Sequence, residues 1–165
     1  MYYRSGPGLA YGAELFDTAT GTFTRAGQLS PPGSDLSTAI TSKHVYWLVQ
    51  EDHDSAPLAV RRADLDGANV VDLSPGNGPE ALWADGLAAS EDAVTVSART
   101  AADPADPSPD KLRQFPTDGT RRQVSCNPGE QAGVATPGGR QVIWVDHTSG
   151  TPQLVTRPQT VERRQ

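Results

Sequence analysis

Three short runs of β-branched and aromatic residues recur along the chain at nearly constant spacing. That repeat constrains the fold more than any other feature of the sequence. The runs are Val45-Tyr46-Trp47-Leu48-Val49, Val94-Thr95-Val96 and Val142-Ile143-Trp144-Val145, and their starts lie 49 and 48 residues apart. Each follows a strand candidate rich in small residues, at 36–40, 86–90 and 132–136. Each is followed, after a loop, by an alternating run and a tight turn. The clearest such half-unit is residues 58–67, where Asp66-Gly67 leads into Val70-Val71-Asp72-Leu73. Asp-Gly between extended runs predicts a type I′ hairpin, which needs positive φ at both central residues. The half-unit recurs at 112–124 around Asp118-Gly119, at 14–29 around Thr20-Gly21, and at 153–156 with 161–164 completing it.

Four short strands in about 48 residues is the pattern of a propeller blade. The expected fold class is all-β: a partial β-propeller of four-stranded antiparallel blades. Residues 1–165 read as a single repeat domain, with a partial blade over 9–29 and blades over 36–74, 86–125 and 132–164. No stretch longer than about ten residues keeps apolar positions at helical spacing without Pro or Gly. Propellers typically close with four to eight blades. An array of about three and a half therefore leads to three expectations: a truncated piece, closure with a second copy, or an open array. The partner expected on that ground is a homodimer mate or a missing-blade partner.

Composition narrows the partners further. Of 165 residues, 14 are basic and 20 acidic, for a net charge of −6. Nucleic-acid binding wants a basic stripe, so no nucleic-acid partner is expected. No apolar run approaches the roughly 20 residues of a membrane helix, and no membrane partner is expected. The single cysteine, Cys126, rules out an internal disulfide. It is expected to pack as a small hydrophobe. The opening Met-Tyr-Tyr-Arg-Ser-Gly-Pro-Gly lacks the apolar core of a signal peptide. The expected location is cytoplasmic for the chain as it stands, and exported if it belongs to a longer precursor.

The repeat resembles the YWTD-type unit of low-density-lipoprotein-receptor propellers and their bacterial relatives. The resemblance rests on Val45-Tyr46-Trp47, on the run from Arg62 through Asp64-Leu65-Asp66-Gly67 to Asn69, on Gly86-Leu87-Ala88, and on Ile143-Trp144-Val145-Asp146. The Leu-Asp-Gly hairpin is also similar to TolB-type blades. Of the namesake Thr-Asp pair only Asp146 is kept; Leu48-Val49 and Val96-Ser97 replace it elsewhere. The resemblance implies a structural, hydrogen-bonding Asp146 and a binding surface rather than a reaction.

In such an array the loops joining fourth to first strands and second to third strands share one end. Their residues are the candidate ligand contacts: Trp83, Glu80 and Glu130 beside the first set, and Asp52, His53, Asp54, Asp146 and His147 in the second. Two of these loops carry Asp-His, a combination that suits a divalent metal or a polar ligand. The same residue types are ordinary turn formers, so neither a metal nor a cofactor is assigned. Asp64-x-Asp66-Gly67 does not make a calcium loop, because Arg62 and Leu73 stand at the first and twelfth ligand positions. There is no Gly-x-Ser-x-Gly elbow and no P-loop. Trp47 and Trp144 are expected in the core between neighbouring blades.

The leading expectation is a non-enzymatic binding or scaffold module that takes a protein or glycan ligand on the loop end. One alternative is a hydrolase or lyase whose loop-end metal site forms only in a closed propeller. The other is a truncated or self-assembling half-propeller with a structural role.

Overall fold

The computed structural model describes residues 2–3, 13–25, 35–50, 57–100, 110–117 and 121–159. Among them every extended element is an antiparallel β-strand, and the one helical turn is a 3-10 segment, Pro137–Gly139. A first sheet holds β1 (Tyr2–Tyr3), β2 (Ala13–Asp17) and β3 (Thr22–Arg25) in that order. It begins at Tyr2, earlier than the partial unit read from residues 9–29. A second sheet has eight strands. It consists of two consecutive meanders: β4 (Asp35–Ile40), β5 (His44–Gln50), β6 (Leu58–Asp64) and β7 (Val71–Asp72), then β8 (Leu82–Ala89), β9 (Ala93–Thr100), β10 (Lys111–Pro116) and β11 (Arg122–Gln123). A third sheet holds β12 (Gln131–Ala135), β13 (Gln141–Asp146) and β14 (Gln153–Pro158). The strand expected at 161–164 lies outside the described residues.

The two meanders are joined by a single backbone pair, Leu58 with Leu82. Both leucines are buried. The sequence reading separates these units completely; the structure links them where β6 starts and β8 starts.

The first strand of each unit carries an irregularity at the same place. Pairing shifts between Asp35 and Ser37 in β4, between Ala84 and Gly86 in β8, and between Ala132 and Val134 in β12. The skipped residues, Leu36, Asp85 and Gly133, repeat the 49- and 48-residue spacing. A bulge of this kind bends the strand and re-aims a side chain. Gly133 takes φ +58°, which suits glycine. The turns after these strands repeat too. In the first meander the Thr41 N–H and hydroxyl both donate to the His44 carbonyl, and in the second Ser90 makes the same pair of bonds to Ala93. The hydroxyl side chain satisfies backbone groups that a tight turn strands.

The turn at Asp66-Gly67 departs from the expected type I′. The Gly67 N–H donates to the Asp64 carbonyl at 2.9 Å, and the Asp64 N–H donates to the Ala68 carbonyl at 2.9 Å. Only Gly67 (φ +83°) and Asn69 (φ +53°) are left-handed. That is a three-residue loop closed by a left-handed glycine, the next commonest hairpin solution. Asn69 fixes it by donating from its side chain to Asp64 Oδ2 at 2.6 Å.

The core lies between successive units. Tyr46, Leu48, Leu58 and Val60 of the first meander pack with Leu82, Leu87, Val94, Val96, Ala98 and Phe115 of the second. The other face of the first meander buries Val45, Trp47, Val49, Ala59 and Ala63. Leu112 of the second meander packs with Val142 and Trp144 of the third sheet. Trp47 and Trp144 are each 1% exposed, in the core as expected. Each fully buried large side chain contributes about 1.5–3 kcal/mol. Alternation in β9 turns Val94, Val96 and Ala98 toward the first meander and Ser97 toward the third sheet.

Buried Gln131 ties the second meander to the third sheet. Its carbonyl accepts from the Ser97 hydroxyl at 2.7 Å, its Oε1 accepts from the Leu112 N–H at 3.2 Å, and its N–H donates to the Asp110 carbonyl at 2.9 Å. No helix among the described residues is long and apolar enough to cross a membrane.

Candidate functional site

The candidate site is the end of the sheets where segments 125–130 and 147–152 meet. Here the structure brings together Asp146, His147 and Glu130. The His147 N–H donates to the Glu130 carbonyl at 2.9 Å, continuing the β12–β13 pairing by one step. The Gly129 N–H donates to Thr148 Oγ1 at 3.1 Å. A side chain on Gly129 would collide with the Thr148 backbone and hydroxyl. Glycine is therefore required there by close approach of two loops.

Asp146 organises this junction. It is 4% exposed. Its Oδ2 accepts from Asn127 Nδ2 at 2.8 Å and from Trp144 Nε1 at 3.4 Å, and its Oδ1 accepts from the Thr148 N–H at 2.9 Å. Hydrogen bonds from the Thr148 hydroxyl and the Asn127 amide, ahead of the rest, hold its carboxyl far below the ordinary aspartate range. A carboxylate so fully engaged positions the loops; the Asp-x-Thr spacing is the sequence sign of such a turn.

Trp83 is not in a loop before the strand. β8 starts at Leu82 rather than at Gly86, so Trp83 is its second residue, half-buried and paired with Arg99 of β9. The strand runs longer because the bulge at Asp85 carries pairing past it to Thr100. Glu80 is exposed, and Arg121 Nη1 donates to its Oε2 at 2.5 Å. The same guanidinium lies 5.8 Å from the Phe115 ring centre. Arg121 is therefore both an ion-pair and a ring partner. Asp52, His53 and Asp54 lie outside the described residues.

Four residues join the site that the sequence did not single out: Asp85, Arg99, Asp110 and Arg113. Burial, then the charge on Asp85, pushes the Asp110 carboxyl above its ordinary value; Glu130 acts in the same direction and Arg99 and Arg113 oppose it. Burial is also the first cause of the lowered Arg113 value. No local sequence pattern singles out Asp85, because its bulge shows only in the pairing of β8 with β9. Lys111 braces the neighbouring loop by donating from Nζ to the Asn127 carbonyl at 2.6 Å and to the Gly129 carbonyl. Cys126 is exposed rather than packed. Among the described residues no group of three or more His, Cys, Asp or Glu is placed to hold a metal ion.

No family model matches the chain, and no curated protein matches it.

Proposed function

We propose that the stacked units are blades of a β-propeller-like array of the YWTD or TolB type, and that the chain is a non-enzymatic binding module. Its ligand, a protein or glycan, sits on the end formed by Trp83, Asp85, Asp110, Glu130 and His147. The observation that carries this reading is the bulge repeated in the first strand of three successive units. It supports a common blade plan, and it sets Asp85 beside the carboxyl of Asp110 at one end. A half-buried indole next to carboxylates and arginines suits a ligand with an apolar face and polar or cationic groups.

The test is capture on glycan and peptide arrays by the full chain. Capture of one ligand class should weaken at least about tenfold, or about 1.4 kcal/mol, in Trp83→Ala combined with Glu130→Gln. Lys43→Ala, in the turn at the opposite end of β5, should leave it unchanged. Capture that survives the loop-end variant, or that depends on Lys43, sinks the assignment of this end.

A further inference from the structure

The chain has three asparagines, Asn69, Asn77 and Asn127, and their surroundings differ in a way that bears on one reaction. An asparagine loses its side-chain amide when the backbone nitrogen of the next residue attacks Cγ. The attack needs a free N–H on that next residue, a side chain there that does not obstruct it, and a carboxamide not held elsewhere. Asn127 precedes Pro128, which has no N–H. Its Nδ2 also donates to Asp146 Oδ2 at 2.8 Å. Asn69 precedes Val70, whose branched Cβ crowds the approach. Its Nδ2 donates to Asp64 Oδ2 at 2.6 Å.

Asn77 meets every requirement. It is exposed and precedes Gly78. Gly78 takes φ +78°, and apart from its chain neighbours no heavy atom lies within 4 Å of where its Cβ would stand. Its carbonyl accepts from the Ala81 N–H at 3.1 Å, whereas no described residue bonds its N–H. At Asp66-Gly67, by contrast, the glycine N–H is committed to the Asp64 carbonyl. Asn77 also stands in the middle of the connector from β7 to β8, away from both anchors. At one anchor Ser74 Oγ accepts from the Val60 N–H at 2.9 Å, and at the other Leu82 pairs with Leu58.

We propose that Asn77 is a site of spontaneous deamidation, the one asparagine of this chain whose surroundings leave it able to cyclise onto the next residue. The Gly78 nitrogen gives up its proton to solvent base and bonds to Asn77 Cγ. The Cγ–Nδ2 bond breaks, and that nitrogen leaves as ammonia. Water then opens the five-membered imide at either carbonyl, leaving an aspartyl or an isoaspartyl link. No oxidant or reductant takes part. The product adds one negative charge to a chain whose net charge is −6. That charge falls in the connector that carries Glu80, the ion-pair partner of Arg121. A new carboxylate acts there as any charge-changing modification does, through the ion pairs and hydrogen bonds around it. This inference stands on the asparagine environments and not on the loop-end ligand.

Ageing the full chain at body temperature and mildly alkaline pH tests it. Peptide mapping by mass spectrometry reads conversion at each asparagine. A synthetic peptide of residues 74–82, aged in parallel, gives the reference rate. The expected result is conversion at Asn77 within about tenfold of the peptide, a barrier difference under about 1.4 kcal/mol. Asn69 and Asn127 should stay intact. A more acidic species should accumulate on ion exchange in step with the conversion, and Asn77→Gln should lack it while keeping the wild-type circular dichroism. An Asn77 that stays intact in the folded chain while the peptide converts overturns the proposal. So does equal conversion at Asn69 or Asn127, or the same acidic species in Asn77→Gln.

Discussion

At the scale of single residues, Asp146 shows how a polar side chain can be buried because the fold needs it. Its folded-state carboxyl is depressed by hydrogen bonds that the unfolded chain lacks. The stability it supplies is present above the unfolded value of about 3.9 and is lost as pH falls through the lower folded range. The thermal midpoint should therefore decline below about pH 4, and Asp146→Asn should blunt that decline. At neutral pH the same variant should cost about 1.5–3 kcal/mol in denaturant unfolding, since charge-assisted bonds to Thr148, Asn127 and Trp144 are weakened together. Gly129→Ala should cost about 1–3 kcal/mol by overpacking against Thr148. An unchanged denaturation midpoint would show that the two loops are not held in contact. The three tryptophans differ in exposure: Trp47 and Trp144 are buried and Trp83 is half-buried. Acrylamide should quench Trp83 selectively, so Trp83→Phe should remove most of the quenchable emission.

At the scale of elements, the hairpin at 64–68 and the bulged first strands decide the geometry. Gly67→Ala should destabilise by about 1–2 kcal/mol, because a side chain opposes its left-handed φ; equilibrium unfolding reads the difference. Much at this scale was legible in the sequence. β-branched and aromatic runs marked β5, β9 and β13, and their spacing marked the repeat. The bulges were not legible, because one extra residue in Leu82–Ala89 leaves its composition unchanged and shows only in pairing. The start of β8 was misplaced for the same reason: Trp83-Ala84-Asp85 breaks strict alternation, and a bulge is what permits the break. Turn type at Asp66-Gly67 escaped because Asp-Gly serves both hairpin solutions, and only Asn69 reaching back to Asp64 selects between them. Of the candidate site, Glu130, Asp146 and His147 were legible as neighbours in loops. Asp110 was not, since its perturbed carboxyl depends on burial that no local pattern reports.

At the scale of the whole molecule, protection should follow the stacking of units. Amide exchange should be slowest in β5 and β9, whose two faces are covered, and fastest in β14, with most of its side chains exposed. Exchange in β14 as slow as in β9 in dilute protein would mean that its open face is already occupied. Among the described residues, all pairings but one join strands adjacent in sequence, the exception being Leu58 with Leu82. Loop closure is therefore short for nearly every ladder, and formation should be fast for a β protein. A chain leaving the ribosome would complete each meander soon after its last strand emerges. The first meander must then wait, one face bare, until Leu82 arrives to meet Leu58. That interval, rather than any property of the finished protein, is when a holding chaperone would find its surface.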